Sequence, residues 1–192
     1  MKSFEDKWAL KAKKEGYRSR AAFKLAQIDE KYHLISNARS ILELGSAPGG
    51  WSQLIAKKKH HNSVCFAVDI LPMEPVSEIK FFQLDLLSIE FNELVQNLDN
   101  KLDLIVSDMS VNLSGIKVVD DESNLEINLF SLQLARDYLN ENGNLLIKTF
   151  NNQNLTKLKK EFSLSFNEVQ IEKPPASKTS SSEVYLLGLD LK

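Results

Sequence analysis

The chain has 192 residues, 43% of them apolar and 26% charged, with a formal charge of −2. That length suits one domain with a proper core, and the composition excludes a disordered chain. A lone cysteine, Cys65, excludes a disulfide framework or a cysteine-rich zinc site, and no apolar run reaches the roughly 18 residues of a membrane span. The first residues lack the apolar centre of a signal peptide and carry Glu5 and Asp6 early, which points to a cytoplasmic protein.

The first thirty residues read as helix broken at Gly16, with Trp8, Leu10, Phe23, Leu25 and Ile28 punctuating a basic stretch. Residues 1–31 hold nine Lys and Arg against five Asp and Glu, a net of +4, while residues 74–142 hold four against fourteen, a net of −10. Such asymmetry suits a basic face for a polyanion and an acidic face turned elsewhere, although solvated helix faces give the same pattern. Ser40–Gly45 is a short apolar run ending in glycine, a buried-strand pattern. Trp51–Lys59 reads as helix and ends in three lysines that complement its dipole. Val64–Asp69 and Lys80–Leu84 read as strands, Ile89–Leu98 as helix, Leu102–Ser107 as strand. Asn124–Asn140 has a helical period stopped by Gly143; Asn144–Phe150 reads as strand and Gln153–Phe162 as helix. Phe166–Ile171 and Val184–Leu189 close the series as strands, after an extended Lys173-Pro174-Pro175 connection.

Alternation of strand and helix from residue 40 onward predicts an α/β fold with a mostly parallel sheet and helices on both faces. The expected organisation is one domain over 1–192, with a basic helical appendage over 1–31 and an α/β core over 40–192.

Three of only seven glycines fall in Gly45-Ser46-Ala47-Pro48-Gly49-Gly50, between a predicted strand and helix. Glycine there permits positive φ and close approach of a ligand to the backbone. The spacing matches neither the dinucleotide fingerprint nor a phosphate loop, so a pyrophosphate ligand is disfavoured. Asp69, Asp85 and Asp108 follow three successive strands, at the edge where open α/β sheets bind ligands. Asp69 suits ribose hydroxyls and Asp85 a purine amine, because a carboxylate accepts what both donate. Singly, each is also an ordinary turn or cap residue. Lys148 ends its own strand at the same edge. If the final strand runs antiparallel, Glu183 at its start joins Asp108 and Lys148, and Lys24 on the basic helix covers the same mouth. A plain ion pair between Lys148 and Glu183 is the structural alternative.

The segments Tyr17–Leu25, Leu44–Gln53, Asp69–Met73, Ser107–Ser110 with 112–115, and Ser182–Tyr185 resemble, in order, the FtsJ/RrmJ family of ribose 2′-O-methyltransferases. The resemblance spans nearly the whole chain. It implies a Rossmann-like, S-adenosylmethionine-dependent fold of seven strands with the last antiparallel. It also implies a catalytic tetrad of Lys24, Asp108, Lys148 and Glu183. Cofactor contacts are expected at Glu43, Gly45, Pro48, Gly49, Gly50, Trp51, Asp69, Asp85 and Asp108. The chain departs from the family pattern at Glu43, where aspartate is usual, at Val111, where proline is common, and in Asn151–Asn154, which lacks an expected glycine.

The expected reaction is methyl transfer to the 2′-hydroxyl of a uridine in large-subunit (23S) ribosomal RNA. Lys148 is expected as general base, Asp108 orients it, and Lys24 and Glu183 position the ribose. Lys7, Lys11, Lys13, Lys14, Arg18 and Arg20 are the expected RNA phosphate contacts. No metal is expected, since His33, His60 and His61 lack ligand spacing, and a monomer suffices. Transfer RNA or an RNA cap are alternative substrates. A non-catalytic ribosome-assembly module and a small-molecule methyltransferase are the alternatives from other classes.

Overall fold

Asp6 and Gly16 mark the two ends of the first helix, α1 (Lys7–Glu15). The Asp6 carboxylate accepts from the N–H groups of Trp8 and Ala9, and Gly16 closes the helix at φ +76°. A computed structural model describes residues 6–98, 101–111 and 114–192; the motif residues Asn112 and Leu113 and the first five residues of the basic appendage lie outside them. The second helix, α2 (Ala21–Tyr32), buries Ala22, Phe23, Leu25 and Ile28 and ends at His33, φ +54°. A single further turn, α3 (Leu34–Asn37), was not apparent in the sequence, being too short to show a period.

Alternation then runs β1 (Ser40–Leu44), α4 (Gly50–Lys58), β2 (Val64–Asp69), β3 (Lys80–Gln83), α5 (Ile89–Gln96), β4 (Leu102–Ser107) and α6 (Lys117–Tyr138). It continues through β5 (Leu139–Phe150), α7 (Leu155–Ser165), β6 (Phe166–Glu172) and β7 (Glu183–Leu191). The seven strands lie in the order β3-β2-β1-β4-β5-β7-β6. Only β7 runs against its neighbours, pairing antiparallel with both β5 and β6, as the sequence led us to expect.

Two-residue alternation divides the strands between two cores. Leu42, Leu44, Leu145 and Ile147 face α5, α6 and α7, with Phe91 and Phe162. Ile41, Leu104, Leu146, Tyr185 and Leu187 face α2 and α4, with Leu25, Ile28 and Trp51. Burying each large apolar side chain contributes about 1.5–3 kcal/mol, so the sheet is sealed on both faces.

Two boundaries differ most from those expected. Helix α6 starts at Lys117 rather than Asn124, because its first turns carry Asp120, Asp121 and Glu122 instead of an apolar stripe. Those acids favour the positive end of the helix dipole. Strand β5 starts at Leu139, within the stretch expected to be helical. Asn142 at φ +65° and Gly143 bend it, and the register against β4 shifts between Leu102 and Leu104. Periodicity alone cannot show a bulge of this kind.

Candidate active site

The carboxyl ends of β1, β2, β3 and β4 open on a cleft of about 710 Å³ lined by Gly45, Ala47, Asp69, Asp85 and Asp108, among others. Its apolar walls come from Ile70, Leu71, Leu84 and Leu87, with Ile127 and Phe130 of α6. Gly45 (φ +72°) leaves β1 with its N–H on the Val68 carbonyl at 2.9 Å. A Cβ there would meet the Met109 side chain at 2.8 Å, so the close crossing of turn and β4 loop requires glycine.

Asp69 is the keystone of this turn. Its Oδ2 accepts the Ala47 N–H and its Oδ1 accepts the Leu71 N–H, both at 2.8 Å. Each oxygen keeps a further lone pair for a hydroxyl donor in the cleft. Asp85 is exposed at the rim, with Oδ1 on the Leu87 N–H at 2.9 Å.

Beneath the turn lies Glu43, 1% exposed. Ser52 donates its hydroxyl to Glu43 Oε2, and Glu43 Oε1 has no hydrogen-bond partner. Burial pushes the Glu43 carboxyl up to about 8; the charges of Asp108 and Asp69 add to this, while the Ser52 bonds oppose it. The hydroxyl of Ser46, also buried, has no partner either. Glu43 Oε1 and the Ser46 hydroxyl are thus buried polar atoms without a protein partner directly behind the glycine turn.

The second half of the site follows from the sheet order. Because β4, β5 and β7 are neighbours and β7 is antiparallel, the end of β4, the end of β5 and the start of β7 meet at one edge. Lys148 Nζ lies 3.2 Å from Asp108 Oδ1 and also donates to the Asp108 carbonyl. From α2, Lys24 Nζ reaches Glu183 Oε1 at 2.7 Å and Oε2 at 2.9 Å. Ser177 donates to Glu183 Oε1 at 3.1 Å, which holds that carboxylate from the other side.

Tyr185 bridges the two pairs, a role the sequence did not suggest for it. Its hydroxyl donates to Asp108 Oδ1 at 3.3 Å, and Lys24 Nζ sits 6.0 Å from the centroid of its ring. Burial, with the charges of Asp108 and Glu183, holds the Tyr185 hydroxyl well above its ordinary range, so it stays protonated and donating. Burial also raises the Asp108 carboxyl, against the pull of Lys148 and Lys24. The alternation that places Tyr185 two residues after Glu183 on β7 was the available signal.

Several expected contacts lie elsewhere. Trp51 is a core residue, 2% exposed, with its indole N–H on the Ala21 carbonyl at 2.8 Å and its ring 5.9 Å from that of Tyr185. Glu43, Pro48, Gly49 and Gly50 shape the turn from behind rather than line the cleft. Lys7, Lys11, Lys13 and Lys14 project from the exposed side of α1. Arg20, by contrast, is paired with Asp6, and the Arg18 guanidinium turns inward onto backbone carbonyls. Helix α1 is also no free arm. Trp8 donates its indole N–H to the Pro175 carbonyl at 3.2 Å, and Ala12 packs with Phe23 and Ala176.

Among the described residues, no group of three or more His, Cys, Asp or Glu side chains is placed to hold a metal ion. No helix among them is long and apolar enough to cross a membrane.

The comparisons agree with this geometry. A family model described as FtsJ-like methyltransferase matches residues 17–191. The chain is 40% identical over 186 residues to the ribosomal RNA large subunit methyltransferase E of Nitrosospira multiformis, covering 96% of this chain and 90% of that protein. It is likewise 40% identical over 185 residues to the protein of the same name from Chromobacterium violaceum, covering 95% and 90%. A crystal structure named a ribosomal RNA methyltransferase, from Plasmodium falciparum, superposes with a TM-score of 0.77 at 27% identity, covering 91% of this chain and 98% of that one. The glycine turn, the acid-lined cleft and the paired lysines and carboxylates thus belong to a methyltransferase, and the chain is a member of the FtsJ-like methyltransferase family.

Proposed function

We propose that this enzyme transfers the methyl group of S-adenosylmethionine to the 2′-hydroxyl of a uridine in large-subunit ribosomal RNA. The observation that carries the reading is the meeting of Lys148, Asp108, Lys24 and Glu183 at the mouth of the cleft that Asp108 also lines. The residues present fit the cofactor. Asp69, with a lone pair free on each oxygen, takes the ribose hydroxyls, the exposed Asp85 takes the purine amine, and the buried Glu43 and Ser46 back the turn that receives the amino-acid end. Bound S-adenosylmethionine supplies an electrophilic methyl group on a sulfonium.

Lys148 is the acceptor of the 2′-hydroxyl proton, a role that requires its nitrogen to have given up its own extra proton first. The ribose oxygen would then take the methyl group that bound cofactor would supply, the carbon–sulfur bonding pair remaining with the departing thioether. Asp108 fixes the position of Lys148 Nζ, and the Lys24–Glu183 pair positions the ribose. Dry surroundings strengthen each of these interactions: Lys24 is 6% exposed and Lys148 9%. A small neutral substrate has no use for the lysines of α1, which favours a polyanion. The chain is proposed to act as a single unit, a monomer in the cytoplasm, with α1 as its basic wall.

The test is transfer of a labelled methyl group to large ribosomal subunits or their RNA from cells lacking the protein. Wild type is expected to label one uridine ribose; Lys148→Ala is expected to lose roughly 10²–10⁴-fold in turnover with cofactor affinity kept, the usual size of a base contribution. Equal loss of both overturns the base assignment. Labelling of transfer RNA or capped RNA instead overturns the ribosomal target, and no labelling of any RNA favours an assembly module.

A further inference from the structure

The linker between α1 and α2 reaches across to both loops that frame the cofactor end of the cleft. Arg18 Nη1 donates to the Glu74 carbonyl at 2.6 Å and the Pro48 carbonyl at 3.3 Å, and Nη2 donates to the Pro75 carbonyl at 2.8 Å. The Arg18 backbone N–H donates to Gln53 Oε1 at 2.8 Å, and Gln53 Nε2 returns to the Gly16 carbonyl at 3.0 Å. The guanidinium passes so close over Gly49 that a Cβ there would meet Nη1 at 2.7 Å and Met73 Sδ at 3.0 Å. Met73 Sδ in turn lies 3.9 Å from Ser52 Oγ, the donor to Glu43. One side chain therefore touches both the turn after β1 and the loop after β2.

We infer that Arg18 is a positioning residue for the cofactor: its guanidinium ties the Ala47–Gly50 turn to the Glu74–Pro75 loop and holds both in binding shape. The inference rests on the glycine turn being the S-adenosylmethionine site. A planar fork of donors suits this position, because the three carbonyls approach from two loops in different directions. A lysine presents one point charge and cannot span them. The guanidinium is also committed to these carbonyls, which leaves it poorly placed to meet an RNA phosphate. Arg18 is exposed, so its loss leaves three carbonyls to water rather than stranded in a core. The cost falls on loop order, and hence on ligand affinity, more than on folding.

The experiment titrates S-adenosylmethionine by calorimetry into wild type, Arg18→Ala, Arg18→Lys and Asp69→Ala, with RNA binding measured against salt in parallel. Both Arg18 variants are expected to weaken cofactor binding roughly tenfold and raise its KM with kcat within about twofold, the pattern of lost binding order. Their RNA salt slope stays that of wild type, and far-UV circular dichroism stays unchanged. Wild-type cofactor affinity in Arg18→Ala overturns the inference. So does a salt slope shallower by about 0.7–0.9 in Arg18→Ala and restored in Arg18→Lys, which marks a phosphate contact. Absence of binding by wild type, or equal binding by wild type and Asp69→Ala, is a distinct result: the cofactor reading fails and takes the inference with it.

Discussion

Tyr185 and Lys148 stand opposite each other across β5 and β7 and converge on the same oxygen, Oδ1 of Asp108. Asp108 is thus held by a cation and by a neutral phenol, each on a strand whose register is fixed by the sheet. Tyr185→Phe keeps the buried ring against Trp51 and removes only the hydroxyl. Asp108 then keeps Lys148 but loses one restraint on its orientation. A hydrogen bond to a charged group is worth about 1.5–3 kcal/mol, of which the transition state loses part. The expected result is a kcat lower by about tenfold with cofactor affinity unchanged. A variant with wild-type kcat would show that Lys148 alone orients Asp108.

Asp69 does two things that substitution separates. Its two oxygens fix the Ala47 and Leu71 N–H groups, and each has a lone pair left for the ribose. Asp69→Asn keeps one acceptor and is expected to preserve most of the turn while weakening the cofactor. Asp69→Ala releases both N–H groups, so it is expected to lower the melting temperature as well as the affinity. Calorimetric titration beside thermal unfolding checks both. Equal cofactor affinity in all three proteins would remove Asp69 from the binding site.

Much of this was readable from the sequence because the sheet does the gathering. Apolar runs ended by glycine or acid located β1, β2 and β4, and the two lysines and two carboxylates met once β7 was taken as antiparallel. What escaped was short, bent or indirect. One turn of helix at Leu34–Asn37 has no period to detect, and the bulge at Asn142–Gly143 lies in backbone conformation. Arg18 and Arg20 read as free cations because sequence shows charge but not its partners. Trp51 stood beside the glycine turn in the chain, yet the first turn of α4 rotates its ring into the core.

Helix α1 carries Lys7, Lys11, Lys13 and Lys14, but it is also a packed wall. Removing it would uncover Phe23 and Ala176, so a truncation confounds folding with RNA binding. Neutralising the four lysines to glutamine leaves Ala12, Trp8 and the Asp6 cap in place. RNA affinity is expected to fall and its salt slope to become shallower by about 0.7–0.9 for each phosphate left without its lysine. Cofactor binding is expected to stay unchanged. An unaltered salt slope would assign α1 a structural role only.

Glu43 makes a prediction about stability against pH. Its folded carboxyl is raised to about 8, chiefly by burial, against an ordinary value of 4.5. Between those values the native state holds a proton that the unfolded chain has released. Stability from this residue is therefore complete below about pH 4.5 and declines as pH rises toward 8. The full effect is on the order of 3–5 kcal/mol, since each tenfold difference in proton affinity between folded and unfolded chain corresponds to about 1.4 kcal/mol. Glu43→Gln keeps an acceptor for the Ser52 hydroxyl and carries no charge at any pH. The variant is expected to melt higher than wild type at pH 8, with the gap closing toward pH 5. Thermal unfolding of both ligand-free proteins across that range measures the difference directly. A gap independent of pH would mean that Glu43 is charged in the folded protein across the whole range, and that burial does not govern its protonation.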